Sequence, residues 1–156
     1  MNSNLLHPLH QAAGAVLRPV EEPSPLLTYG DVPAEYEAAQ RGCAVFDETD
    51  RGSVRVSGTD AREFLHRLLA NEVLPLGPGE GNRNLLLSPK GKVRFDVDLG
   101  VQDDGSYSLS TAPFDAAGLC AALDMYLFTE DVLLEDQSES CAPLLLVGPE
   151  SAAVME

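Results

Sequence analysis

The sequence predicts an α+β fold of the split βαβ (ferredoxin-like) kind, an antiparallel sheet with helices packed on one face. Three observations predict it. From Gly52 to Ser138 the patterns run strand, helix, strand, strand, helix, strand. The apolar period changes from two at Val54 and Val56 to helical spacing at Ala61, Phe64, Leu65, Leu68 and Leu69. A long alternation, Val93, Phe95, Val97, Leu99 and Val101 against Lys92, Arg94, Asp96 and Asp98, then runs into Asp103, Asp104 and Gly105, a hairpin signal.

Residues 1–32 mix a short helix with Pro19, Pro23 and Pro25 and are expected to form an irregular N-terminal arm. The domain proper is expected to span 33–156. Pro33 to Gly42 carries Pro in a first turn, strong helix formers, Arg41 near its end and Gly42 as the residue past it, the pattern of one short helix. Gly52–Gly58 alternates as a strand, and Asp60, with Glu63 three residues on, predicts the cap of the next helix. Leu76–Asn82 is a loop by composition, leading to the apolar run Leu85, Leu86, Leu87 and a turn at Ser88, Pro89, Lys90 and Gly91. Beyond the hairpin signal, Tyr107, Leu109 and Thr111 mark the return strand. Ala116, Leu119, Cys120, Leu123 and Leu127 form one helical face. Two strands are expected within Asp131–Ser138 and Ala142–Pro149, the second more buried, with Pro149 placed to open a further helix.

The 156 residues suit one core, and 44% apolar against 22% charged residues excludes a mainly disordered chain. Ten Lys and Arg against 25 Asp and Glu give a net charge of −15, which repels phosphate backbones and anionic lipid. No nucleic acid and no membrane partner is expected. Cys43, Cys120 and Cys141 are odd in number and widely spaced, so neither a disulfide framework nor a thiolate metal site is indicated. The amino terminus has no basic n-region, and no apolar run approaches the roughly 20 residues of a bilayer span. A cytoplasmic protein is the expectation.

His7, His10 and His66 lack metal-ligand spacing, and the first two read as residues of the tail; no metal is expected. There is no nucleophile elbow, and Gly77, Gly79 and Gly81 lack the spacing of a dinucleotide cradle. Glu130, Asp131, Glu135 and Asp136 read as solvated acids. The charged face of the long strand is the remaining candidate. Asp96 is central there: a carboxylate on a rigid strand accepts a hydrogen bond from an amine or heterocyclic N–H, or takes a proton if its pKa is raised. The bland alternative is the wet side of an antiparallel sheet.

The residues that carry a resemblance are Phe46-Asp47, the V-x-V-x-G-x-D-A-x-x-F-L entry at Val54 to Leu65, Asn71-Glu72-Val73, and L-x-x-x-G-K-V-x-x-D at Leu87 to Asp96. Leu134-Glu135-Asp136 and Leu146-Val147-Gly148-Pro149 continue it. In that order, over about residues 30 to 156, they resemble the N-terminal half of the folate-binding domain of the glycine-cleavage T-protein (aminomethyltransferase) and YgfZ superfamily. The YgfZ branch is favoured by Ser88-Pro89-Lys90-Gly91-Lys92 and Asp50-Arg51-Gly52. Phe95 stands where T-proteins have a first acid, and Thr111 where they have an asparagine.

The resemblance implies a tetrahydrofolate-binding module linked to folate-dependent maintenance of iron-sulfur enzymes. Asp96 then serves as the folate-contacting, catalytic carboxylate, with Arg94, Leu109 and Thr111 about the ligand. The first alternative is an aminomethyltransferase passing a one-carbon unit to tetrahydrofolate. The second is a non-enzymatic interaction module whose open sheet binds a protein, with Arg94 and Asp96 merely solvated. The resemblance also implies C-terminal truncation, the family's K-G-C-x-x-G-Q-E segment falling beyond residue 156, so a protein partner or a missing C-terminal half is expected alongside folate.

Overall fold

The structure is a computed structural model that describes residues 6–17 and 26–155. The chain divides into two compact units, one formed by Arg51–Ser138 and the other by the described parts of Met1–Asp50 and Glu139–Glu156. The expected boundary at 32/33 lies inside the second of these.

The Arg51–Ser138 unit contains β4 (Arg51–Ser57), α3 (Ala61–Leu68), β5 (Gly81–Leu87), β6 (Val93–Val101), β7 (Tyr107–Pro113), α4 (Ala116–Asp124) and β8 (Leu133–Asp136). Its sheet runs β5-β6-β7-β4-β8 with every neighbour antiparallel. The order β8-β4-β7-β6 is that of a split βαβ sheet, and β5 is an added edge strand. The strand alternation holds: Phe95, Val97, Leu99 and Val101 are buried and Arg94, Asp96 and Asp98 exposed. These buried residues share one cluster with Val54, Val56 and Leu109 from the sheet and Phe64, Leu65, Leu119 and Leu123 from the two helices. Helices on one face leave the other face open.

Several local expectations change. The strand around Leu85–Leu87 begins earlier, at Gly81, because a backbone with no Cβ can approach Leu99; a Cβ there would stand 2.3 Å from the Leu99 carbonyl oxygen. Val93 is exposed rather than in the core, since the β5–β6 register slips between Leu86 and Leu87. Asp60 precedes α3 without capping it; its carboxylate accepts instead from the Asp131 amide at 2.8 Å. That joins the start of α3 to the approach of β8, where Gly58, at φ +115°, lies so close to the Asp131 carbonyl that a Cβ would sit 2.1 Å away. Helix α4 ends at Asp124, so Leu127 falls beyond it and, like Cys120, only packs at the margin of the core.

The other unit contains α1 (His7–Ala12), β1 (Val16–Leu17), β2 (Leu26–Thr28), α2 (Val32–Arg41), β3 (Ala44–Asp47), β9 (Leu144–Val147) and α5 (Ser151–Val154). Its amino-terminal segment is more regular than expected, with β1 paired to β2; Pro19, Pro23 and Pro25 lie outside the described residues. Asp31 caps α2 by accepting from the Ala34 amide at 3.0 Å. The strand expected to be the more buried, β9, is the more exposed, because it pairs only with β3 and lies outside the five-stranded sheet.

Leu109→Ala therefore removes fully buried packing and costs about 2–5 kcal/mol, whereas Leu145→Ala, at a residue 44% exposed, costs about 1 kcal/mol or less; urea unfolding curves of the two variants check the contrast.

Candidate functional site

The open face of the five-stranded sheet carries the charged residues of the alternation. Asp96 on β6 sits opposite Leu85 of β5, two positions along the strand from Arg83. Its carboxylate accepts from both ends of the Arg83 guanidinium, Oδ1 from Nε at 2.9 Å and Oδ2 from the second nitrogen. Next along β6, Asp98 accepts from Arg51 at 2.9 Å, and Arg51 also donates to the Thr111 carbonyl at 3.2 Å. Arg55 reaches Asp104 at 2.5 Å and the Ser106 hydroxyl at 3.2 Å. Anions and cations thus alternate over this face.

Arg83 holds the Asp96 carboxyl below its ordinary range, chiefly through the hydrogen bond, with Arg51 adding Coulombic support. The same pairing raises Arg83. A carboxyl shifted this way is fully ionised at neutral pH and is a weak base. Of the two roles open to Asp96, hydrogen-bond acceptor or proton acceptor with a raised pKa, the second lacks its condition: the environment is a cation at the surface, not an apolar pocket. Arg83 takes one acceptor site on each oxygen, which leaves further lone pairs for a ligand N–H. The site can orient and stabilise a donor or a developing positive charge. Proton abstraction is not its strength.

The other residues of the expected site divide by face. Arg94, two residues before Asp96 on β6, is exposed and lies with its guanidinium carbon 5.8 Å from the Phe95 ring centroid. Lys90, Lys92 and Arg94, at and beside the β5–β6 turn, have no hydrogen-bond acceptor for their side chains among the described residues. Leu109 is wholly buried in the core, and Thr111 is 1% exposed on the helix-covered side, opposite Gly52. Thr111 is still joined to Asp96, because its hydroxyl donates to the Asp96 backbone carbonyl at 3.2 Å. The structure joins Thr111 to Asp96 through the backbone; Arg94 is directed to the Phe95 ring, and Leu109 belongs to the packing beneath.

His10 was read as a tail residue, and the structure corrects this. Its Nε2 lies 2.6 Å from Asp47 Oδ2 and its Nδ1 2.6 Å from the Tyr29 hydroxyl. Facing a carboxylate, Nε2 is the protonated nitrogen, so in the neutral ring Nδ1 accepts from the phenol. The Asp47 side chain is 3% exposed and also accepts from the Thr49 amide at 2.8 Å. This buried chain ties α1 to β3 across 37 residues of sequence. Beside it lies a cavity of about 510 Å³, walled by Leu26, Val32, Tyr36, Val45 and Phe46.

The model of the "GCVT N-terminal domain" matches residues 6–156. The chain belongs to the GCVT N-terminal domain family. Members of that family with similar sequences include the aminomethyltransferases of Chlorobium limicola, 30% identical over 99% of this chain and 43% of that protein, and Deinococcus deserti, 27% identical over 97% of this chain and 42% of that protein. The aminomethyltransferase T of the glycine cleavage system from Bartonella henselae superposes with a TM-score of 0.83 at 25% identity, over 99% of this chain and 43% of that one. The chain spans under half the length of these relatives. The family relation confirms the T-protein superfamily and the mixed α+β fold. No described helix is long and apolar enough to cross a membrane.

Two outcomes follow from the site's geometry. Because the folded-state pKa of Asp96 is depressed, the pair with Arg83 contributes at neutral pH and is lost as pH falls through the depressed value. NMR titration should place Asp96 below ordinary aspartates, and Arg83→Met should move it up towards them. His10→Ala leaves the buried Asp47 carboxylate short of a donor and should cost about 1–3 kcal/mol, against little for His7→Ala; amide exchange across α1 and β3 measures the difference.

Proposed function

We propose that the chain is the tetrahydrofolate-binding part of an aminomethyltransferase-type protein, with Asp96 contacting the pterin side of the ligand. The observation that carries this reading is the position of Asp96: ionised, pinned by Arg83 on an open sheet face, and with lone pairs left for an N–H donor. Family membership and the names of the relatives support the aminomethyltransferase branch over the YgfZ-type role in iron-sulfur maintenance. A cytoplasmic setting belongs to the same reading.

The two departures from the T-protein pattern fit it. Phe95 and Thr111 are both buried, so neither an acid at 95 nor an amide at 111 would share the open face with Asp96. Thr111 acts on Asp96 from below, fixing its peptide. Arg94, two residues before Asp96 on β6, exposed and with no acidic partner among the described residues, suits an anionic part of the ligand. Tetrahydrofolate, when bound, supplies the nitrogen that receives the one-carbon unit. The part of Asp96 is to hold that ligand in register and to favour positive charge near it; its depressed pKa suits orientation and not proton removal.

Titrating 5-formyltetrahydrofolate into the chain by calorimetry tests the proposal. Saturable binding is expected, and Asp96→Asn should weaken it by about tenfold or more, the worth of one hydrogen bond to a charged group. Equal affinity in the folded variant would remove Asp96 from the site.

A further inference from the structure

Between Glu80 and Asp96 the chain carries Arg83, Lys90, Lys92 and Arg94 and no acid, although acids outnumber cations by 25 to ten overall. Four of the ten cations therefore fall on one hairpin. The other described cations are satisfied: Arg41, Arg51, Arg55 and Arg67 each hold an acid, as Arg83 holds Asp96, and Arg62 donates to the Leu74 carbonyl. Arg18 lies outside the described residues. Lys90, Lys92 and Arg94 are exposed and have no acid or carbonyl partner among the described residues. In a chain of net charge −15, three neighbouring cations without a counter-ion make a local positive field that selects anions.

The turn that carries them is closed by its own hydrogen bonds. The Ser88 amide donates to the Lys92 carbonyl at 2.8 Å, the Lys92 amide to the Ser88 hydroxyl at 3.1 Å, and the amide of Gly91, at φ +73°, to the Ser88 carbonyl at 2.8 Å. Lys90 and Lys92 thus stand at a fixed end of the β5–β6 pair, with Lys92 no more than about 13 Å along the strand from Asp96. The other end has the opposite sign. There Gly81 pairs with Gly100, and a cavity of about 330 Å³ has Glu80 and Asp103 in its wall. Across the sheet, Arg51 and Arg55 are already neutralised by Asp98 and Asp104. A ligand that gives an N–H to Asp96 and also carries carboxylates has one favourable direction, along β6 towards the turn.

We propose that Lys90 and Lys92, with Arg94, form the subsite for the carboxylate tail of the ligand held at Asp96. For tetrahydrofolate that tail is the glutamyl group, set off from the pterin by the aminobenzoyl spacer. The lysines are point charges on flexible stems and capture a carboxylate without fixing its angle, while Asp96 on the rigid strand sets the register. The identity of the tail rests on the folate reading of Asp96; the anion preference of the turn does not.

The test is calorimetry on the 156-residue chain with 5-formyltetrahydrofolate, its dimethyl ester and 4-aminobenzoyl-glutamate as probes. The ester keeps the shape and removes both charges. The acid should bind about tenfold more tightly than the ester, the worth of two exposed ion pairs, and about 1 M salt should remove most of the difference. The double variant Lys90→Gln, Lys92→Gln should bring the acid to the affinity of the ester and leave the ester unchanged, which also shows that the variant is folded. Asp96→Asn should weaken both alike, and Arg41→Gln, at an exposed cation of the other unit, should change neither. The subsite is overturned by equal binding of acid and ester, by a preference that survives in the double variant, or by an equal loss in Arg41→Gln. If neither folate probe binds, the reading at Asp96 fails, and 4-aminobenzoyl-glutamate decides for the turn alone. Saturable binding abolished by the double variant then supports the subsite, and no binding overturns it.

Discussion

The packing of α3 and α4 against one face of the antiparallel sheet is the constraint on which the rest of the molecule depends. Val54, Val56, Val97 and Leu109 meet Phe64, Leu65, Leu119 and Leu123 there, and water is excluded. Because side chains on a strand alternate, committing Phe95, Val97 and Leu99 to that contact sends Asp96 and Asp98 to the other side. A slip of one residue in β6 would bury both acids and expose the apolar set. The core therefore sets the chemistry of the open face without contributing an atom to it.

This explains which parts were legible in the sequence. The period-two run from Phe95 to Val101 and the helical spacing from Ala61 to Leu68 needed only local pattern, and both stand in the structure. So did the placement of Asp96 on a charged face. Its partner was not legible, because Arg83 sits at the end of a glycine-rich loop, and its approach to Asp96 depends on β5 starting at Gly81 and on a register fixed across a turn. Grouping Leu109 and Thr111 with Asp96 rested on family resemblance. Alternation alone puts residues 109 and 111 on one side of β7, and the pairing of Leu99 with Leu109 makes it the core side.

Long-range polar contacts were the other blind spot. His10 and Asp47 are 37 residues apart in sequence, in a segment rich in proline and without clear periodicity. No local signal distinguishes a histidine that bridges a carboxylate and a phenol from one on a solvated tail. Phe46-Asp47 did attract attention as a motif, and the structure gives it two jobs: Phe46 faces out from the β3–β9 pair, while Asp47 turns in to hold α1. Similarly, the apolar run Leu144–Val147 reads as buried because inner strands do, and its exposure records what else such a strand requires.

The chain's two lysines, Lys90 and Lys92, stand at the turn between β5 and β6. Both are exposed, and Lys92 lies no more than about 13 Å along the strand from Asp96 at the usual rise per residue. Amine-directed chemistry, apart from the α-amino group, is thereby confined to one hairpin tip. A fluorophore attached there would be a reporter beside the carboxylate, placed by the natural sequence without engineering.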